Sequence, residues 1–286
     1  TVSKKDGKTI IPGKSGVQFD VEKAKEIIGD GSQASYSIPV TITQPAITEA
    51  VLRERLFRDT LARTATNLNE GNAPRTNNVR LAAKAINGTI LNPGDVFSYN
   101  TVVGERTQAR GYQEAHAYSG GKIIDEFGGG VCQPSSTLYM AVLRADLEVV
   151  ERHNHSFTVS YTPLGEDATV DYGNLDFRFA NNTAYPIKIL AEQTDGQMIM
   201  TIIGTKTSDK TVATRTEVLE TYKPETVEKQ DSSLAAGETQ VETSGITGYS
   251  TRTYKVITEN GKTTEVLANK STYSKRDEVV CVGTGS

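Results

Sequence analysis

Apolar positions in the first 65 residues are sparse and change period often. Thr9, Ile10 and Ile11 read as a short strand closed by the Pro12-Gly13 turn. Phe19, Val21, Ala24, Ile27 and Ile28 fall at mixed helical spacing behind Asp20, a good N-cap residue. Residues 37–42 alternate like a strand that ends at Pro45, and 49–61 read as a charged helix or turn. Downstream the pattern sharpens. Val79, Ala82, Ala83 and Ile86 form one stripe, which predicts a helix over 77–87 stopped by Gly88. Residues 96–99 follow the Pro93-Gly94 turn as a strand. Leu138, Ala141, Val142 and Ala145 predict a second helix, over 135–147. Alternating segments then predict strands at 157–161, 168–172, 177–179, 187–190 and 198–203. Beyond a polar stretch at 206–210 no helical stripe remains. There 253–258, Asn260-Gly261 and 263–267 predict a hairpin in a thin β module rich in Thr, Glu, Lys and Val.

The chain has 286 residues, enough for about two domains. Its net charge of −4 excludes a strongly basic nucleic-acid binder and leaves no polybasic membrane patch. No apolar run approaches the ~20 residues that span a bilayer. Two cysteines, Cys132 and Cys281, exclude a disulfide-rich scaffold. The chain opens at Thr1 without a charged-then-apolar leader and reads as an excised fragment, with any signal or anchor upstream.

Cys132 stands between the run Gly128-Gly129-Gly130 and a predicted helix. Pro134 suits the first helical position, which makes Gln133 the expected N-cap and puts Cys132 just ahead of it. Free N–H groups and the positive end of the helix dipole favour a thiolate there. The same N–H groups suit an oxyanion, and the glycines allow close backbone approach by another molecule. The bland alternative is a buried, inert cysteine with glycines serving packing. A catalytic cysteine needs a base. His153 and His155 follow twenty-odd residues later, and in strand period they share one face. His155, entering an alternating strand, is the preferred base, with His153 facing substrate; His116 reads as a rim residue. Asp167 and Asp171 are candidates to orient the imidazole, with Asp167 taken. Arg110 and Arg152 are candidates to hold a carboxylate. A zinc site from Cys132, His153 and His155 lacks an obvious fourth ligand, so no metal and no cofactor is expected.

Several runs together carry a family resemblance. They are 92–100 (NPGDVFSYN), Arg110-Gly111-Tyr112, 128–139 (GGGVCQPSSTLY), 151–156 (ERHNHS) and 165–170 (GEDATV). In order and spacing they resemble the VanW domain. The end of the chain resembles the five-glycine repeat domain, a β module of secreted Gram-positive proteins thought to bind wall polymers. Residues 1–48 resemble the second half of a peptidoglycan-binding domain that often precedes VanW domains. The resemblance implies three parts: a partial peptidoglycan-binding-like domain at 1–54, a VanW catalytic domain at 55–206 and a five-glycine domain at 207–286. The implied fold is α+β, with a small α+β N-terminal fragment, a central domain of mixed strands and helices, and an elongated, mostly β C-terminal module.

VanW-domain proteins in clostridia are understood to be a class of L,D-transpeptidase that crosslinks peptidoglycan stems through a cysteine. Carried over residue by residue, the resemblance makes Cys132 the nucleophile and His155 its histidine. It makes Gly129, Gly130 and Gln133 oxyanion or substrate contacts. The expected partners are peptidoglycan stem peptides and glycan, with no nucleic acid, and with membrane contact only through an upstream anchor. The expected location is extracellular and cell-wall associated. Two rivals stand beside this reading. One is a cysteine peptidase or amidase that trims wall peptides; the other is a non-catalytic wall-binding protein.

Overall fold

A computed structural model describes residues 1–119 and 122–285, with backbone alone for 116–119 and 122–125, so the side chain of His116 lies outside the described residues. Thr1–Leu56 and Phe57–Ser286 form two compact units.

In the first unit the strands Gly16–Gln18 and Thr41–Thr43 pair antiparallel, with Val17 opposite Ile42. The expected strand over 37–42 is displaced towards 41–43 because Pro39 has no N–H to give a ladder. The segment around Ile10 contributes only a single bridge, to Val2. The helix Val21–Ile28 starts where Asp20 accepts from the Glu22 and Lys23 N–H groups. A second helix, Glu49–Arg55, is capped by Thr48.

The second unit is built on a four-stranded antiparallel sheet. Its order is Asp59–Asn67, Gln197–Gly204, Ile187–Thr194 and Ile90–Leu91. The first of these strands lies partly in a stretch that reads as charged helix or turn. Its inward residues are Ala62, Thr64 and Thr66, small or polar, so the alternation carries little apolar contrast. The helices Ala73–Ile86 and Cys132–Arg144 pack on this sheet and share its core with Phe97, Phe177, Phe179, Ile187, Met198 and Met200. The first starts four residues earlier than its stripe suggests, because Asn72 caps it and Pro74 fits its first turn. The second starts at Cys132 itself, with Val131 as N-cap in place of Gln133. Pro134 is tolerated in that first turn because its missing N–H would have no intrahelical partner. Strands Val96–Ser98, Arg178–Ala180 and Glu148–Glu151 form a smaller sheet beside them, and Glu114–Ser119 pairs with Lys122–Phe127.

Residues 157–161 and 168–172 alternate but are not strands. Only the isolated bridges His153 with Thr169 and Asp171 with Leu175 form there. The backbone around Ala168 is held by side chains of the cysteine helix instead.

The C-terminal stretch is all β. Thr211–Tyr222, Gly248–Glu259 and Lys262–Tyr273 form one antiparallel sheet. Thr226–Ala235, Glu278–Gly285 and Thr239–Thr243 form another, parallel between its first two strands. Asn260 and Gly261 carry the positive φ angles, 50° and 72°, of the expected hairpin turn. The architecture is therefore α+β with a β-rich C-terminal part. Among the described residues no helix is long and apolar enough to cross a membrane.

Both cysteines are free. Cys281 is 6% exposed in the strand Glu278–Gly285. Cys281→Ala is expected to leave any chemistry at Cys132 unchanged and to cost about 1 kcal/mol of stability. Thermal melting beside a Cys132 alkylation assay checks both parts.

Candidate active site

The helix Cys132–Arg144 is buried on nearly every side, yet its first turn is polar. Each of those polar groups has a defined partner, as burial requires. Ser135 Oγ reaches the Ala168 carbonyl at 2.5 Å. Ser136 Oγ donates to the Cys132 carbonyl at 2.7 Å and accepts from the Ala168 N–H at 3.0 Å. Thr137 bonds Thr66 and accepts Thr64 on its carbonyl, which ties the helix to the first strand of the sheet. The two serines thus clamp the segment that carries Asp167 and Thr169 against the turn that carries Cys132.

The run before the cysteine is equally fixed. Asn78 Nδ2 donates to the Gly129 and Gln113 carbonyls, and Tyr99 Oη donates to the Val131 carbonyl. Gly128 and Gly130 have φ of 89° and 101°, where a side chain is strained. A Cβ at Gly128 would lie 2.6 Å from Arg106 Cβ, and one at Gly130 the same distance from Arg75 Cγ. The close approach that the glycines permit is therefore made by the protein's own arginines. Gly129 and Gly130 were expected to meet substrate; Gly129 is buried instead, and Arg75 covers Gly130. Arg75 and Arg106 form no ion pair with a carboxylate among the described residues. Arg75 donates to Gln133 Oε1 at 2.7 Å and Arg106 to Asn100 Oδ1 at 2.8 Å.

Gln133 is also corrected. It is 1% exposed, and its amide is spent on Arg75, Thr66 and the Asn67 carbonyl, so the side chain supports the helix and does not face a ligand.

Cys132, His155 and Asp167 come together. His155 Nδ1 lies 2.6 Å from Asp167 Oδ2, which also accepts the His155 backbone N–H at 2.7 Å. With Nδ1 committed, Nε2 is the nitrogen left for the sulfur, and the Tyr161 hydroxyl stands 3.4 Å from it. The ring stands close enough to the sulfur that each group shifts the other's titration. The sulfur also lies 3.6 Å from Thr169 Oγ1 and 3.5 Å from the Val170 carbonyl. Burial by itself pushes the thiol up, but the His155 hydrogen bond and charge outweigh it, so the Cys132 pKa falls below its ordinary value. The Val170 carbonyl can accept only from the neutral thiol, whereas His155, the Val170 backbone and the Thr169 hydroxyl favour the thiolate. Burial likewise opposes a charged imidazole, yet Asp167 and Cys132 raise His155 to about 9. Asp167 is raised by burial and lowered more by His155 and Arg152, ending below the usual carboxylate range. The arrangement favours a thiolate–imidazolium pair backed by a carboxylate.

Three further expectations change. Arg152 does not await a ligand. Its side chain is 5% exposed, and it donates to the Asp167 carbonyl at 2.7 Å, to Asp167 Oδ1 at 3.0 Å and to Ser271 Oγ at 2.8 Å. Arg110 closes its own loop, packing on Gly104 and donating to the Glu105 carbonyl at 2.5 Å. His153 pairs with Glu151 at 3.1 Å on a half-exposed edge and does not join Cys132 and His155. The strand-period argument for a shared face fails because 153–155 form no strand beyond one bridge. Asp171 accepts from Asn174 in an exposed turn. Thr169, Tyr161, Arg75 and Tyr273 touch the site without having stood out in the sequence. The one available signal is the pair Ser135-Ser136, two hydroxyls at the start of an otherwise apolar helix.

Comparison with known proteins agrees with this geometry in where it falls. Residues 74–203 match the family described as VanW like protein, and residues 213–285 match the G5 domain. The chain is 37% identical over 201 residues to the uncharacterised protein YoaR of Bacillus subtilis (strain 168), covering 69% of this chain and 66% of that protein. It is 29% identical over 134 residues to the vancomycin B-type resistance protein VanW of Enterococcus faecalis (strain ATCC 700802 / V583), covering 45% of this chain and 49% of that one. The chain thus spans just under two thirds and about half of these relatives. Among solved structures, the G5 domain of IgA1 protease covers 28% of this chain and 98% of its own length, at 17% identity and a TM-score of 0.20.

Proposed function

The chain is a VanW-domain protein with a C-terminal G5 domain, and from that premise we propose that it is a peptidoglycan L,D-transpeptidase. The VanW-like family and the resistance-associated relative support reading it as a cell-wall-related protein. The observation that carries the finer reading is the His155–Asp167 pair set against a cysteine at a helix N-terminus.

In this mechanism the Cys132 thiolate attacks the carbonyl carbon of the L,D amide in a donor tetrapeptide stem. The C–N bond breaks as the His155 imidazolium gives its proton to the departing amine of D-alanine. The stem is left as a thioester on Sγ. The amine of a second stem then attacks that carbonyl, His155 takes its proton, and the thiolate leaves. Asp167 holds the imidazole with Nδ1–H engaged and offsets the positive charge that the ring carries between the two steps. The Cys132 N–H, for which no acceptor is found among the described residues, serves as a donor to the oxyanion. Arg75, whose charge reaches Cys132, offers a guanidinium to a substrate class that carries carboxylates. The proposal takes 55–206 as the catalytic domain, 1–54 as a partial wall-binding domain and 207–286 as the G5 part. It places the protein outside the cell at the wall.

The nearest rival is hydrolysis by the same thiol. Incubation with a disaccharide-tetrapeptide and mass analysis of the products separates the two. Transpeptidation yields a crosslinked dimer and one D-alanine. A tripeptide without dimer would assign the protein to the peptidase or amidase class.

A further inference from the structure

We infer that the C-terminal sheet is a wall of the reactive centre, and that Tyr273 is a positioning residue for the Asp167–His155 pair. The inference rests on the reading of Cys132 and His155 as the reacting pair.

The strand Lys262–Tyr273 places Asn269, Ser271 and Tyr273 at alternate positions, hence on one face. All three bond the segments that build the site. Tyr273 is 1% exposed; its hydroxyl donates to Asp167 Oδ1 at 2.5 Å and accepts the Gly165 N–H at 2.7 Å. Ser271 accepts from Arg152, the cation that holds Asp167. Asn269 donates to Tyr139 Oη at 2.7 Å and to the Gly165 carbonyl at 2.9 Å.

The neighbouring strands continue the clamp. Thr216 donates to the Leu164 carbonyl, and Thr214 to Glu166. Every residue from Leu164 to Asp167 is therefore bonded to the sheet. A Cβ on Gly165 would lie 1.9 Å from Thr253 Oγ1, so the segment lies flush on the strands. On the histidine side, the Ser274 N–H bonds the Ser156 carbonyl at 2.7 Å, and Asn154 donates to the Thr272 carbonyl at 2.8 Å. Thr251, Thr253 and Ser271 are at most 2% exposed, a burial of hydroxyls that a free-standing appendage would not need.

The consequence falls on one carboxylate. Asp167 Oδ2 takes two donors from His155, while Oδ1 takes Arg152 and Tyr273. Partners on both oxygens fix its plane, and the plane fixes the imidazole. Without the phenol, one of the four anchors is gone and the ring's hold on the sulfur loosens.

The test uses the full chain carrying Cys281→Ala, so that only Cys132 reacts. Alkylation by iodoacetamide is followed against pH for the parent, Tyr273→Phe and Tyr254→Phe, with thermal melting alongside. Tyr254 is a tyrosine of the same sheet whose hydroxyl meets Glu217 and not the site. Tyr273→Phe is expected to move the alkylation midpoint up toward an ordinary thiol and to slow the reaction at pH 7 about tenfold, roughly one charged hydrogen bond. Tyr254→Phe is expected to leave the profile in place. If Tyr273→Phe only melts earlier while its profile matches the parent, the tyrosine is structural and the inference fails. Should that variant not fold, Ser271→Ala is read the same way and must shift the profile in the same direction. A parent midpoint at the ordinary thiol value would overturn the reacting pair, and this inference with it.

Discussion

Replacing Cys132 by alanine is expected to abolish acyl transfer, by more than about 10⁴-fold, with the melting temperature within a few degrees of the parent. The other cysteine, Cys281, is buried in the strand Glu278–Gly285 opposite Lys229 and Gln240, and it has no histidine partner among the described residues. The fold should tolerate the change because the sulfur lies at the edge of the core, partly exposed, and alanine removes little more than its hydrogen bonds to Thr169 Oγ1 and the Val170 carbonyl. The parent enzyme should also carry a pH signature that alanine removes. Its thiolate forms below the ordinary thiol value, so activity rises early with pH. His155, raised to about 9, must be protonated to release the leaving amine, so turnover falls as pH passes that value. The pair titrates as a unit, and His155→Ala removes the largest contribution opposing burial, so the thiol titrates higher than in the parent.

Asp167 should produce the largest combined effect on stability and activity. Asp167→Ala removes the only carboxylate among the described residues that meets Arg152, whose side chain is 5% exposed, and strips partners from His155 and Tyr273. An uncompensated buried cation costs about 3–5 kcal/mol. Asp167→Asn keeps the shape and loses the charge, so it separates the two contributions. The folded pKa of Asp167 lies below its ordinary value, so its stabilisation is complete above the ordinary value and is lost as pH falls through the folded one. The stability gap between parent and Asp167→Asn, read from urea melts, should therefore be full at neutral pH and narrow in strong acid. A gap that does not change with pH would remove the charge from the account.

Much of this site was legible in the chain. Cys132 before a helical stripe, His155 after it and Asp167 in the following turn are all visible as residue types in order. What was not legible is who faces whom. Arg152, Gln133 and the glycines look like groups waiting for a ligand because sequence cannot show that Asp167, Thr66 and two arginine stems already occupy them. The strand Asp59–Asn67 hides because its inward positions are Ala and Thr, whose burial comes from hydrogen bonds to the cysteine helix rather than from apolar contrast. Residues 157–161 and 168–172 mislead in the opposite way. They alternate but form no ladder; around Ala168 the backbone is bonded to Ser135 and Ser136 instead. Tyr273 lies 106 residues from its partner in a stretch that reads as a separate module, and no local pattern links them.

The central claim is that Cys132 forms a thioester with a peptidoglycan stem. Intact mass spectrometry after brief incubation with a disaccharide-tetrapeptide, with Cys132→Ala in parallel, tests it most directly. The account predicts an adduct equal to substrate minus D-alanine on the parent and none on the variant. No adduct on the parent, with the tetrapeptide recovered unchanged, would contradict it and leave a wall-binding protein.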